Sequence, residues 1–64
     1  MSAPLPLKAL RLEQNLTQAE LARRLDVSTR TVRAMESGQY TPSVTLACRV
    51  AHELDHSVED VFQP

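Results

Sequence analysis

Apolar residues recur along this chain at intervals of three and four, and the positions between them are rich in residues that cap helices. Leu7 and Leu10 share a face of a first predicted helix, Leu7 to Gln14, with Asn15 placed where a left-handed residue ends it. Leu21, Ala22 and Leu25 line a second helix opened by Thr17-Gln18-Ala19-Glu20. In that spacing the threonine hydroxyl accepts from the amide of residue 20, and the glutamate reaches back to the threonine amide. Val32 and Met35 mark a third helix over Thr29 to Glu36, capped by Ser28 and stopped by Gly38. Residues 39–42 form a loop, after which Pro42 and Ser43 open a fourth helix whose Val44, Ala47, Val50, Ala51 and Leu54 keep helical spacing. Ser57 caps a last turn or two, from which Val61 and Phe62 close the core. Nothing alternates over a strand's length, so the expected class is all-α.

Met1 to Pro6, with prolines at 4 and 6, predicts a short disordered lead, and residues 7–64 a single domain. Sixty-four residues leave no room for an elaborate substrate cleft, so no enzyme, catalytic residue, metal, cofactor or small-molecule ligand is expected. Cys48, the one cysteine, excludes an intrachain disulfide and suits a reducing cytoplasm; it reads as a half-buried small apolar residue. The chain has neither a long apolar run nor a signal-like start, which predicts no membrane insertion and no export.

The net charge of −1 hides an uneven distribution. Lys8, Arg11, Arg23, Arg24, Arg30 and Arg33 outnumber Glu13, Glu20 and Asp26 in the first half, whereas from residue 34 Arg49 stands alone against five carboxylates. One half suits phosphate and the other is repelled by it.

Helices two and three, joined by Asp26-Val27-Ser28, have the makings of a helix-turn-helix. Ala22 is small enough for a close crossing, and Leu21, Leu25, Val27, Val32 and Met35 pin the angle. Thr29, Arg30, Arg33 and Ala34 are left pointing outward, where a major groove would meet them. An arginine fork matches the O6 and N7 acceptors of guanine, and threonine or alanine methyls suit the thymine methyl. The helix amides beside Gln18 and around Ser28 are donors for phosphate. A solvated face on an ordinary helix is the plainer account of Arg30 and Arg33, and the helix-turn-helix frame is what argues against it. Arg23 and Arg24 read as solubilising or steering charges.

The run Leu16-Thr17-Gln18-Ala19-Glu20-Leu21-Ala22, then Val27-Ser28, Met35-Glu36-Ser37-Gly38 and Pro42-Ser43, resembles the XRE family of regulators, which includes phage repressors and Cro. The resemblance covers about residues 7 to 62 and implies a compact phage-repressor-like bundle of five short helices that binds palindromic double-stranded DNA as a homodimer. By position it implies that Gln18 contacts phosphate and that Ser28, Thr29, Arg30, Thr31, Arg33 and Ala34 read DNA. Gln39 and Tyr40 fall in a loop that meets the DNA backbone, though Tyr40 is as suited to packing on the loop; Arg11 and Glu36 fall where similar proteins join helix 1 to helix 3 by an ion pair. Asp26 and Asp55 replace a preferred glycine, each at a cost of about 1 kcal/mol. Gln39 replaces a frequent lysine and no cation precedes Leu7, so one subunit should hold phosphate weakly.

The expected function is therefore sequence-specific transcriptional regulation in the cytoplasm. An antitoxin-like module that binds a partner protein through the acidic second half, with Val58 and Phe62, is the alternative. His52-Glu53-Leu54-Asp55-His56 also matches the H-E-x-x-H zinc-protease pattern, and Cys48, His52 and His56 a partial structural zinc set. Surface histidines are the simpler account, since the helix is expected to end near Leu54 and take His56 off the shared face.

Overall fold

The computed structural model describes residues 6–62, and they form five helices in order: α1 (Pro6–Glu13), α2 (Gln18–Leu25), α3 (Thr29–Ser37), α4 (Val44–Glu53) and α5 (Val58–Phe62). Among the described residues there is no strand. Each of the last four helices opens on a hydroxyl. Thr17, Ser28, Ser43 and Ser57 accept from the amides of Glu20, Thr31, Leu46 and Asp60 at 3.0, 3.1, 3.2 and 3.1 Å. At Thr17 the return bond is also made, from its amide to Glu20 Oε1 at 2.8 Å, completing the capping box.

The turns are equally local in origin. Asn15, Asp26 and Asp55 adopt left-handed φ values of 58°, 59° and 59°, and Gly38 one of 80°. Asparagine and aspartate tolerate this region better than other side-chain-bearing residues, and each residue here ends a helix by folding the chain back on its last turn.

α2 packs on α3 and α4, α1 on α3 and α5, and α4 on α5. One apolar cluster draws on all five helices: Leu7 and Leu10 of α1, Leu21, Ala22 and Leu25 of α2, Val32 and Met35 of α3, Val50 and Ala51 of α4, and Val61 of α5, with Leu16 and Leu54 from the connections. Val27, Leu46 and Phe62 pack against it from the edge.

Three local expectations are corrected. Pro6 is the first residue of α1, a position that tolerates its missing N–H and suits its fixed φ, whereas the rest of the predicted lead, residues 1–5, lies outside the described residues. Val44 keeps the spacing of the α4 stripe yet is 80% exposed, because at the first position of the helix it projects beyond the core; Leu46 packs there instead. Cys48 is exposed, not half-buried.

Candidate nucleic-acid interface

The three-residue turn Asp26-Val27-Ser28 sets α2 against α3. Its angle is held by Leu21, Leu25, Val32 and Met35, all fully buried, and by Ala22, whose small side chain lets the helices approach. With that side sealed, α3 turns Arg30, Arg33 and Ser37 to solvent, and Thr29, Thr31 and Ala34 lie half-buried beside them. Neither Arg30 nor Arg33 pairs with a carboxylate among the described residues. Two full positive charges therefore stand on the outer face of the second helix of the motif.

The remaining predicted residues divide by what their polar atoms already do. Ser28 Oγ takes the Thr31 amide and lies 2.9 Å from Thr31 Oγ1, so both hydroxyls are engaged in the α3 cap. The amides of Gln39 and Tyr40 donate to the Ala34 carbonyl at 3.0 and 3.3 Å, leaving their exposed side chains, not their backbone, to meet anything outside. Ser37 is exposed one turn beyond Arg33 and its hydroxyl returns to the Ala34 carbonyl at 3.1 Å; sequence reasoning passed over it, although its spacing from Arg30 and Arg33 marks the same stripe. At the start of α2 the Glu20 amide is taken by Thr17, which leaves the amides of Gln18 and Ala19 as the outward-facing donors of the first turn.

Gln18 is half-buried and its side chain turns inward. Its Nε2 donates to Glu36 Oε1 at 2.9 Å. Glu36, on α3, is 7% exposed, and its carboxylate is also held by Arg11 of α1, 5% exposed, through the Nε and Nη2 donors of a single guanidinium fork. A third donor of that fork, Nη1, reaches the Leu16 carbonyl at 2.7 Å. Every donated bond of this cluster ends on an acceptor that burial would otherwise leave orphaned, and no buried side-chain nitrogen or oxygen among the described residues lacks a partner.

This pairing also revises the charge balance of the first half. Arg11 is committed to Glu36, and Arg24 lies 3.8 Å from Glu53, so in this half Lys8, Arg23, Arg30 and Arg33 are the cations without a carboxylate among the described residues.

From the end of α3 onward, Gly38, Tyr40, Thr41, Pro42, Ala47, Val58 and Phe62 border a largely apolar groove, with Tyr40 and Val58 partly exposed. Glu59 and Asp60 lie exposed on α5, with Asp60 turned toward His56. The H-E-x-x-H pattern does not form a helical ligand pair: α4 ends at Glu53, Asp55 turns left-handed, and His56 faces Glu13 at 3.9 Å and Asp60 at 3.7 Å. No group of three or more His, Cys, Asp or Glu among the described residues is placed to hold a metal ion. No described helix is long and apolar enough to cross a membrane.

Comparison with known proteins agrees with this architecture. A family model described as helix-turn-helix matches residues 7–61. An uncharacterised HTH-type transcriptional regulator of Methanocaldococcus jannaschii is 45% identical over 56 residues, covering 88% of this chain and 85% of that protein. Among solved structures, the clp gene regulator ClgR of Corynebacterium glutamicum is 34% identical with a TM-score of 0.79, over 86% of this chain and 58% of that one. The hydroxypropylphosphonic acid epoxidase of S. wedmorenis is 32% identical with a TM-score of 0.82, over 91% of this chain but 31% of the enzyme. This chain thus spans little more than half of ClgR and about a third of the epoxidase, and nearly all of the M. jannaschii regulator. With the family model running almost end to end, the chain belongs to the helix-turn-helix family of XRE-type transcriptional regulators.

Proposed function

We propose that this protein is a sequence-specific DNA-binding regulator, acting in the cytoplasm, that lays α3 in the major groove. The observation that carries this reading is the unpaired pair Arg30 and Arg33 on the outer face of the second helix of the motif. Each guanidinium offers the double donor that guanine O6 and N7 accept, and Thr29 and Ala34 offer methyls beside them. Gln18, with the first amides of α2, and the exposed side chains of Gln39 and Tyr40 contact the phosphates on either side. Ser28 and Thr31, whose hydroxyls are bound in the cap, act mainly by fixing where α3 begins.

Two subunits share the site. Few unpaired cations remain on one chain, so a single copy neutralises few phosphates and binds weakly at physiological salt. A second copy docks through the apolar groove on its Ala47, Val58 and Phe62 side, in the acidic second half of the chain, which leaves Tyr40 at the rim for the DNA backbone. Two copies related by a twofold axis then read a near-palindrome with half-sites about 34 Å apart.

The test is selection of random duplex DNA by the purified protein at about 0.15 M salt, with enriched sites retested on Arg30→Ala. A palindrome with a guanine in each half, lost by the variant, supports the function. If no sequence is enriched, DNA is not the ligand, and the apolar groove becomes the place to look for a protein partner.

A further inference from the structure

The buried ion pair and the start of α2 meet at one atom. Glu36 Oε1 accepts from Arg11 Nη2 at 3.3 Å and from Gln18 Nε2 at 2.9 Å, while Oε2 takes the Arg11 Nε donor. A carboxylate paired with arginine is ionised and only accepts, so the Gln18 amide has no choice of orientation: nitrogen against Glu36, because the flipped amide would set oxygen against oxygen. The amide nitrogen carries two hydrogens and Glu36 uses one. Gln18 stands at the first position of α2, half-buried, beside the unsatisfied amides of the first turn.

We propose that Gln18 bridges two anions, giving one amide hydrogen to Glu36 and the other to a DNA phosphate, so that Glu36 is a positioning residue for DNA binding although it is buried away from DNA. This rests on the DNA-binding function proposed above. Arg11 contributes twice, by holding the Glu36 carboxylate and by holding the Leu16 carbonyl, two residues before Gln18, at 2.7 Å. The chain is α1 guanidinium, α3 carboxylate, α2 amide, phosphate, with charge alternating across neutral donors. It sets the phosphate contact and the reading helix from the same carboxylate, so neither shifts without the other.

The experiment measures affinity for a short random-sequence duplex at low salt, where phosphate contacts dominate, together with melting of each variant. The variants are Gln18→Leu, the paired replacement Arg11→Met with Glu36→Leu, and all three together. The paired replacement puts apolar side chains where the ion pair was, a change that often preserves folding. Gln18→Leu and the paired replacement should each weaken binding by about tenfold, the order of one charge-assisted hydrogen bond, and the triple variant no further than either. Gln18→Leu binding like wild type, while Arg30→Ala and Arg33→Ala bind weakly, overturns the bridge and leaves the function standing. Additive losses in the triple variant overturn the coupling through Glu36. Should the arginine variants also bind unchanged, the DNA-binding function itself fails and the bridge falls with it.

A direct readout requires no variant. In the nuclear magnetic resonance spectrum of the wild-type protein, one Gln18 side-chain amide proton should already be displaced by its bond to Glu36, and adding duplex should move the other. A second proton indifferent to duplex overturns the proposal.

Discussion

Helices α3 and α4 begin by the same device, a serine whose hydroxyl accepts the amide three residues on, at 3.1 and 3.2 Å, and both send one apolar stripe into the shared core. Their outer faces differ: α3 presents two arginines without partners, Arg30 and Arg33, whereas α4 presents one, Arg49, among Val44, Thr45, Cys48 and His52. Caps decide where a helix starts and stripes decide which side is buried, but neither constrains the outward residues. Two helices that start by the same device are therefore free to carry different outward residues.

The sharpest way to break this comparison is to strike the connection between α3 and the rest of the bundle. Arg11→Ala leaves the Glu36 carboxylate buried without its partner, and a loss of about 3–5 kcal/mol is expected, read from the urea midpoint. In a domain this small that is enough to unfold much of the population, and no substitution on the outer face of α4 should approach it. Next come the outer faces themselves. Arg30→Ala and Arg33→Ala should each lose about 1–3 kcal/mol of binding to a selected duplex with melting unchanged, while Arg49→Ala on α4 leaves affinity close to wild type. Equal losses at all three positions would mean that charge alone, not the face of α3, holds DNA. Val58→Asp should shift the monomer–dimer midpoint in sedimentation by about tenfold, and wild-type protein that stays monomeric at all concentrations would remove the groove from the account.

Smaller effects test the local devices. Thr17→Ala should cost about 1 kcal/mol at neutral pH. The Thr17 amide, then its hydroxyl, hold the Glu20 carboxyl below the usual carboxylate range. A carboxyl lowered by folding stabilises above its unfolded value, and the contribution disappears as pH falls through the folded one. The gap between wild type and Glu20→Gln should accordingly narrow in acid; a gap constant with pH would show that the ionised return bond of the capping box contributes nothing. Smallest of all, Asp26→Gly and Asp55→Gly relieve left-handed strain and should raise stability by less than about 1 kcal/mol each.

How much of this was readable from the residues follows the range of the interactions. Thr17, Ser28, Ser43 and Ser57 announce their helices, and Asn15, Asp26, Gly38 and Asp55 their turns, because cap and turn chemistry acts within three or four residues. Val44 misled because spacing alone cannot say that the first position of a helix overhangs the core. Pro6 misled because the same ring that breaks a helix interior starts a helix well. The bond from Gln18 to Glu36 spans 18 residues and depends on how α2 docks on α3, so no pattern of residue types foretold it. The resemblance suggested the longer pairing of Arg11 with Glu36, and the structure adds that Gln18 and the Leu16 carbonyl complete it.

The helices run from five to ten residues, all below the roughly 12–15 at which an isolated helix begins to persist in water. None of them survives apart from the others, so the molecule has no half-assembled form in which α3 remains ready while the rest is loose. Any binding through α3 then inherits the steepness of the melting curve: heat or denaturant removes the helix all at once, and amide protons along α3 should exchange on the same timescale as those at the centre of the core.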